Sequence, residues 1–283
     1  MAILMDGKAL AARLRQQIKD EVALLTQQGI QPCLAVILVG DDPASCFYVA
    51  NKEKDCAECG IRSIKYVLPA GTTEQELLAL IARLNNDPAV HGILVQLPLP
   101  KGLSAAKVIT AISPSKDVDA FHPENVGRVM QGKYTFAPCT PAGVMKLLEA
   151  YNIPVEGREC VVIGRSNIVG KPQAMLLLHA NGTVTMCHSK TANLAEVTRR
   201  ADILVCAVGI VNFVTADMVK PGAVVIDVGM NVNAEGKLTG DVDFPAVEKI
   251  TSYITPAPGG VGPMTRAMLL ENTLTAAKMA AQA

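Results

Sequence analysis

The chain has 283 residues, half of them hydrophobic, with 26 basic and 26 acidic side chains. That balance excludes bulk electrostatic attraction to nucleic acid or to a membrane surface, and 4% aromatic residues leave little for stacking on single strands. No apolar run approaches the roughly 20 residues that span a bilayer, and the N-terminus turns polar at Asp6, too soon for a secretory signal.

Leu10, Leu14, Ile18, Val22 and Leu25 share one face at helical spacing, which predicts a first amphipathic helix ending near Gly29. Leu34 to Val39 is a continuous apolar strand, and Asp42-Pro43 signals a helix reaching about Cys59. Ile61 to Leu68 is the next strand. Thr73 with Glu76 makes a capping box before a Leu- and Ala-rich helix. Ile93 to Gln96 is a third strand, broken by Pro98 and Pro100, and Ser104 opens a helix that stops before Pro114. Lys116 to Pro138 breaks this rhythm and reads as polar loop. Thr140-Pro141 begins a helix that crosses into a second unit. There the alternation resumes, with strands at 160–163, 183–187, 203–207, 223–227 and 252–255 and helices at 169–180 and 193–201. Thr265 to Ala280 predicts a last helix that returns to the first unit. The fold class is α/β: two α/β domains with mostly parallel sheets, one of residues 1–139 plus 265–283 and one of residues 140–264.

Cys33, Cys160, Cys187 and Cys206 fall inside apolar strands, the pattern of a reduced, cytoplasmic protein. Cys56 and Cys59 form one Cys-x-x-Cys pair with no second pair to complete a zinc site; a helix end capped by Gly60 and a redox pair both fit it. His91, His122, His179 and His188 show no metal-ligand spacing, so no metal is expected.

The stretch Arg158 to Ala174 organises the second unit. Cys160 to Ile163 is a buried strand, Gly164 ends it, and Pro172 suits the first turn of a helix. Strand, glycine turn and helix leave unpaired N–H groups where phosphate binds. Five residues separate Gly164 from Gly170, and Pro172 stands where a magnesium-binding hydroxyl is needed, so a Walker loop is rejected. The dinucleotide fingerprint also fits imperfectly, because Ser166 replaces its second glycine; taken alone, the turn suits a nucleotide site or a structural βα connection equally. The next strand adds weight. After Thr183–Cys187 an NAD site carries an acidic residue for the ribose hydroxyl. Here stand His188, Ser189, Lys190 and Thr191, with Arg165 in the first turn. A guanidinium and a hydroxyl suit a 2′-phosphate, so the predicted cofactor is NADP. Solvated surface cations are the other reading of Arg165 and Lys190.

In the first unit, Tyr48 and Lys52 lie four residues apart on one helix face. A surface lysine beside a half-buried tyrosine explains that spacing as well. The run Val95-Gln96-Leu97-Pro98-Leu99-Pro100 puts an amide at the C-terminal end of a parallel strand, where open α/β sheets bind ligands. Lys116-Asp117-Val118-Asp119 places two carboxylates in a loop. Pro258-Gly259-Gly260-Val261-Gly262-Pro263 is a shaped loop whose glycines allow close backbone approach.

Ser45-x-x-Tyr48 with Lys52, Val-Gln-Leu-Pro-Leu-Pro, Lys-Asp-Val-Asp, Gly-Arg-Ser-x-Ile-Val-Gly-Lys-Pro, Cys-His-Ser-Lys-Thr and Pro-Gly-Gly-Val-Gly-Pro-Met-Thr occur in one order. Across essentially its whole length the chain resembles the bifunctional methylenetetrahydrofolate dehydrogenase/methenyltetrahydrofolate cyclohydrolase family. It departs from that pattern at Ala120, where glycine is usual, and at Met230, where isoleucine is usual.

The resemblance implies a Rossmann-like NADP-binding second domain, an active-site cleft between the domains, a folate substrate, a homodimer and a place in one-carbon metabolism. It implies hydride transfer from 5,10-methylenetetrahydrofolate to NADP, then hydrolysis of the methenyl product to 10-formyltetrahydrofolate. Its catalytic residues map onto Lys52, Tyr48, Gln96 and Asp119. Lys52 is the expected proton-transfer group, a role that partial burial and a cationic substrate both favour. Gln96 orients it without adding charge, Tyr48 stacks on the folate, and Asp119 accepts from the pterin. Gly164, Arg165, Ser166, Ser189 and Met230 are the implied cofactor residues. Val95, Leu97 and Pro258 to Gly262 complete the implied folate site. A dehydrogenase without cyclohydrolase activity is disfavoured by having both Lys52 and Gln96; a non-catalytic binding module predicts binding without turnover.

Overall fold

A computed structural model describes residues 2–282. Strand β1 (Ile3–Leu4) leads to α1 (Gly7–Gln27), β2 (Cys33–Val39), α2 (Pro43–Cys59), β3 (Arg62–Leu68), α3 (Glu74–Asn86), β4 (Gly92–Val95), α4 (Ala105–Ala111), α5 (Pro123–Met130) and α6 (Cys139–Ala150). There follow β5 (Glu159–Ile163), α7 (Gly170–His179), β6 (Thr183–Cys187), α8 (Leu194–Thr198), β7 (Ile203–Cys206) and β8 (Val224–Asp227). The chain closes with β9 (Asn231–Val232), β10 (Leu238–Thr239), α9 (Phe244–Val247), β11 (Tyr253–Ile254) and α10 (Val261–Ala280).

Packing divides the chain into two units. One holds Arg13–Ala137 and the C-terminal segment from Arg266; the other holds the N-terminal segment through Ala12 and Pro138–Thr265.

The first unit is built on a parallel sheet of order β3-β2-β4. Central β2 is buried along its whole length, which is why Cys33–Val39 carries no polar alternation. Leu77, Ile81 and Leu84 of α3 and Val108 of α4 pack with Ala35, Ile37 and Ile93 of the sheet. Helix α3 starts at the capping box: Thr73 Oγ1 accepts from Glu76 N at 3.2 Å, and Glu76 Oε2 accepts from Thr73 N at 2.8 Å.

From Arg266 onward α10 belongs to this unit. Its buried Asn272 donates from Nδ2 to the carbonyls of Val118 (2.8 Å) and Ala137 (3.1 Å). An apolar replacement leaves those carbonyls without that donor. Asn272→Leu is expected to cost about 2 kcal/mol of stability, since each unsatisfied buried group costs about 1–3 kcal/mol. Urea denaturation measures this, and an unchanged midpoint would show that the amide holds nothing.

The second unit carries a sheet of order β1-β11-β8-β7-β5-β6, parallel throughout. Its core joins Val161 and Ile163 of β5, Leu204 and Cys206 of β7 and Val225 of β8. Strand β5 has β6 on one side and β7 on the other. The chain therefore reverses direction across the sheet at β5, and ligands bind at the carboxyl ends of strands at such a point.

The structure departs from the sequence-based expectations in several places. The N-terminal segment groups with residues 138–265 because β1 pairs with β11, Ile3 opposite Tyr253 and Leu4 opposite Ile254. A strand this short shows no period-2 pattern. The stretch Lys116–Pro138 contains α5, announced by His122 as N-cap, Pro123 in the first turn and an Arg128–Glu124 ion pair at 2.5 Å. Strands β9 and β10 form a small antiparallel pair around the Asn233–Gly236 turn. Helix α10 begins at Val261 rather than Thr265, so the end of the Pro258–Gly262 stretch is helical.

Candidate active site

Helix α2 places the first two candidates. Asp42 caps it by accepting from Ser45 N at 2.8 Å, and Gly60 ends it at φ 75. Ser45, Val49, Cys56 and Cys59 are buried, and Tyr48 and Lys52 flank that stripe, each half-buried. Strand β4 supplies the partner. Gln96 N donates to Ile37 O at 2.9 Å, so Gln96 continues the ladder just past buried Val95. Gln96 Nε2 donates to Leu97 O at 2.6 Å, which fixes the amide flip and leaves Oε1 as acceptor. Lys52 Nζ donates to that Oε1 at 3.0 Å. Residues far apart in sequence thus meet, and the lysine's partner is neutral.

The two carboxylates of the Lys-Asp-Val-Asp loop stand in different surroundings. Asp117 is buried, accepts from His122 N (2.8 Å) and Asn125 Nδ2 (2.9 Å), and is raised above the usual carboxylate range by burial. It shapes the loop. Asp119 is half-buried. Ala120 takes φ 58, the left-handed conformation that glycine adopts without strain.

In the second unit, β5 runs into Gly164, whose φ is 123. A Cβ there would lie 2.2 Å from Ala207 O, and one on Gly170 would lie 2.2 Å from Gly164 O. Both positions therefore require glycine. Ser166 corrects one expectation: its Oγ accepts from Val169 N (3.2 Å) and Gly170 N (3.3 Å), so these N–H groups are already paired. Ser166 closes the turn on itself, and Arg165 is exposed beside it. After β6, His188 N donates to Thr191 Oγ1 at 2.9 Å and Lys190 N donates to His188 Nδ1 at 3.1 Å. This small turn leaves Ser189 and Lys190 exposed. A nucleotide phosphate fits these residues: cations and a hydroxyl stand exposed beside the glycine turn, and no carboxylate occupies 188–191.

Met230 follows β8 and is 47% exposed. The Pro258 stretch starts with a cis Ala257–Pro258 bond, and Gly259 has φ 112. Gly260 and Val261 are buried, whereas Pro258 is exposed and Gly259 and Gly262 are half-buried. A Cβ on Gly7 would lie 1.8 Å from Gly260 O, so this stretch packs against the entry to α1.

Sequence reasoning missed two groups. Asn272 gave no signal, being one amide in an apolar helix. The other group is a pair of buried carboxylates, Asp227 and Asp241. Asp227 Oδ1 accepts from Gly229 N and Asp241 N, both at 2.9 Å, and Oδ2 from Val242 N at 3.0 Å. Burial pushes its carboxyl up to about 6 from an ordinary 3.8. The folded chain then holds a proton that the unfolded chain releases as pH rises from about 4. Every tenfold weakening of this acid on folding corresponds to about 1.4 kcal/mol against the ionised folded state, so its contribution to stability falls as pH rises toward 6. A carboxyl carbon titration by NMR is expected to show a midpoint near 6, and relative to Asp227→Asn the parent should lose stability between pH 4 and 6. A midpoint near 4 would refute this.

Cys56 and Cys59 are free, buried thiols that burial raises to about 12 and about 11. Burial keeps both thiols in the protonated, unreactive form, which supports the helix-end reading of the pair over the redox one. His91, His122 and His188 each use Nδ1 to accept a backbone N–H. Among the described residues, no helix is long and apolar enough to cross a membrane.

A parallel sheet that reverses strand order above a glycine-led turn defines a dinucleotide-binding domain, here joined in one chain to a second parallel α/β unit. The sequence matches the tetrahydrofolate dehydrogenase/cyclohydrolase catalytic domain over residues 5–119 and the NAD(P)-binding domain of the same family over residues 138–281. The chain belongs to the tetrahydrofolate dehydrogenase/cyclohydrolase family. A bifunctional protein FolD of Burkholderia pseudomallei is 61% identical over 282 residues, covering 100% of this chain and 99% of the relative. The crystal structure of the bifunctional FolD of Campylobacter jejuni matches with a TM-score of 0.97 at 55% identity, over 99% of each chain. That of Trypanosoma brucei FolD, complexed with NADP cofactor and inhibitor, matches with a TM-score of 0.95 at 40% identity, over 100% of this chain and 99% of that one.

Proposed function

We propose that this chain oxidises 5,10-methylenetetrahydrofolate to 5,10-methenyltetrahydrofolate with NADP, and then hydrolyses the product to 10-formyltetrahydrofolate. The observation that carries the reading to named residues is the Lys52–Gln96 hydrogen bond at the carboxyl end of β4. NADP, when bound, accepts the hydride. The cation left on the substrate is shared between two nitrogens, so no protein base is needed for that step. The chain's part is to hold the substrate, with Tyr48 stacked on the folate and Asp119 accepting from the pterin.

Hydrolysis does need proton transfer. Water oxygen bonds to the methenyl carbon while Lys52 Nζ takes one water proton. As the carbon–nitrogen bond breaks, that proton passes to the leaving nitrogen, and the hydroxyl left on carbon gives up its own proton to solvent and becomes the formyl carbonyl, so one water is added and one proton released. Gln96 aims the amine through Oε1 and adds no negative charge to hold its proton. Val95 and Leu97 flank that amide, and Pro258 to Gly262 contribute to the folate site. Gly164, Arg165, Ser166, Ser189 and Met230 serve the cofactor, Arg165 and Ser189 at the 2′-phosphate. The same reading includes a homodimer in a reducing, cytoplasmic compartment, for which the free cysteines speak.

A spectrophotometric assay with methylenetetrahydrofolate and each nicotinamide cofactor tests the function. NADP should be reduced in preference to NAD, and added methenyl substrate should be consumed without cofactor. Binding without turnover, or a preference for NAD, overturns it.

A further inference from the structure

The dinucleotide must lie across the sheet in one direction. The turn after β6 carries Ser189, the hydroxyl assigned above to the 2′-phosphate together with Arg165, so the adenosine half belongs on the β6 side of Gly164. The nicotinamide half then falls over the ends of β7 and β8, on the other side of β5. Both strands end in loops that present apolar side chains to solvent. Ile210 is 53% exposed after β7, and Met230 is 47% exposed after β8.

One fully buried carboxylate holds those loops. Asp241 Oδ2 accepts from Val208 N (2.7 Å) and Gly209 N (3.1 Å). Its Oδ1 accepts from Ile210 N (3.0 Å) and from Asn231 Nδ2 (2.9 Å). Three successive backbone N–H groups and one side-chain amide, drawn from both loops, converge on a single side chain. Asp227 braces it from beneath by accepting Asp241 N at 2.9 Å. The close approach depends on glycines: a Cβ on Gly229 would lie 2.3 Å from Asp241 Oδ1, and one on Gly240 would lie 1.8 Å from Asp227 Oδ2. The β7 loop also meets the glycine turn, since Ala207 N donates to Ile163 O at 2.8 Å and Ala207 O lies against Gly164.

We propose that Asp241 is a positioning residue for the cofactor: it locks the loops after β7 and β8 together so that Ile210 and Met230 form a fixed apolar seat for the nicotinamide ring. This rests on the NADP reading above. Asp241 touches neither cofactor nor substrate; it acts through the loops. An open ring of loops would have to be ordered each time the nicotinamide bound, and the carboxylate does that ordering in advance.

The test is Asp241→Asn, which keeps the shape but turns one acceptor oxygen into a donor facing N–H groups. Calorimetry with two probes separates the halves of the site. Adenosine 2′,5′-bisphosphate, which lacks the nicotinamide, should bind the variant within about twofold of the parent. NADP should bind roughly tenfold more weakly, the loss expected when charged hydrogen bonds of this kind are broken. Asn231→Ala removes one of the contacts from outside the core and should shift NADP in the same direction by roughly threefold; it decides the matter if Asp241→Asn does not fold. Equal losses for both probes mean a general structural role and overturn the proposal, as does unchanged NADP affinity. If the parent protein binds neither probe, the NADP reading itself fails, which is a different outcome.

Discussion

Lys52→Met is expected to fold, to bind NADP and to lose the hydrolytic step by roughly 10²- to 10⁴-fold, the usual contribution of a positioned proton-transfer group. The lysine is half-buried on α2, so a methionine of similar length and shape replaces it without opening a cavity. Gln96 keeps its bond to Leu97 O at 2.6 Å, which does not involve the lysine, so the strand end stays in place. The oxidation step should persist, because its product needs no proton removed by the protein. The readout is the decay of supplied methenyl substrate beside cofactor reduction in the same preparation. Hydrolysis at the parent rate would take Lys52 out of its role.

Arg165→Ala should weaken NADP roughly 10- to 100-fold and NAD by much less, as expected when a guanidinium pairs with a phosphate dianion. The arginine is exposed, and Gly164 and Ser166 fix the backbone on either side of it. The substitution therefore removes a charge without disturbing the turn. Michaelis constants for both cofactors measure it. Equal losses would show that Arg165 does not read the 2′-phosphate, and Lys190 would be the next group to examine.

Much of this architecture is legible in the amino-acid sequence. Strand β6 falls where the run Thr183–Cys187 puts it, α2 starts at Asp42-Pro43 and stops at Gly60, and the Thr73–Glu76 capping box is present. These are local signals, written in adjacent residues. Lys52 and Gln96 are legible separately, one from helical spacing and one from its place at a strand end. Their hydrogen bond is not, because 44 residues separate them. What escapes is of that second kind. Asn272 reaches residues 154 and 135 positions away, and Asp241 gathers donors from 10 to 33 positions away. No periodicity records such pairings. The joining of the N-terminal segment to the second unit is hidden for a related reason: its two paired residues are too few to show alternation.

Ala120 carries a broader lesson. Its backbone sits at φ 58 with the methyl fully buried, a state that disfavours any residue but glycine by roughly 1–2 kcal/mol. Two hydrogen bonds hold the chain that leads into it: Ala120 N donates to Asp117 O at 3.0 Å, and Asn272 holds the carbonyl of Val118 at 2.8 Å. The surroundings act as a mould and the residue as the cast. Asp119 is the preceding residue, so the course of the backbone at the position proposed to meet the pterin is set by hydrogen bonds from elsewhere in the unit rather than by the conformational preference of residue 120.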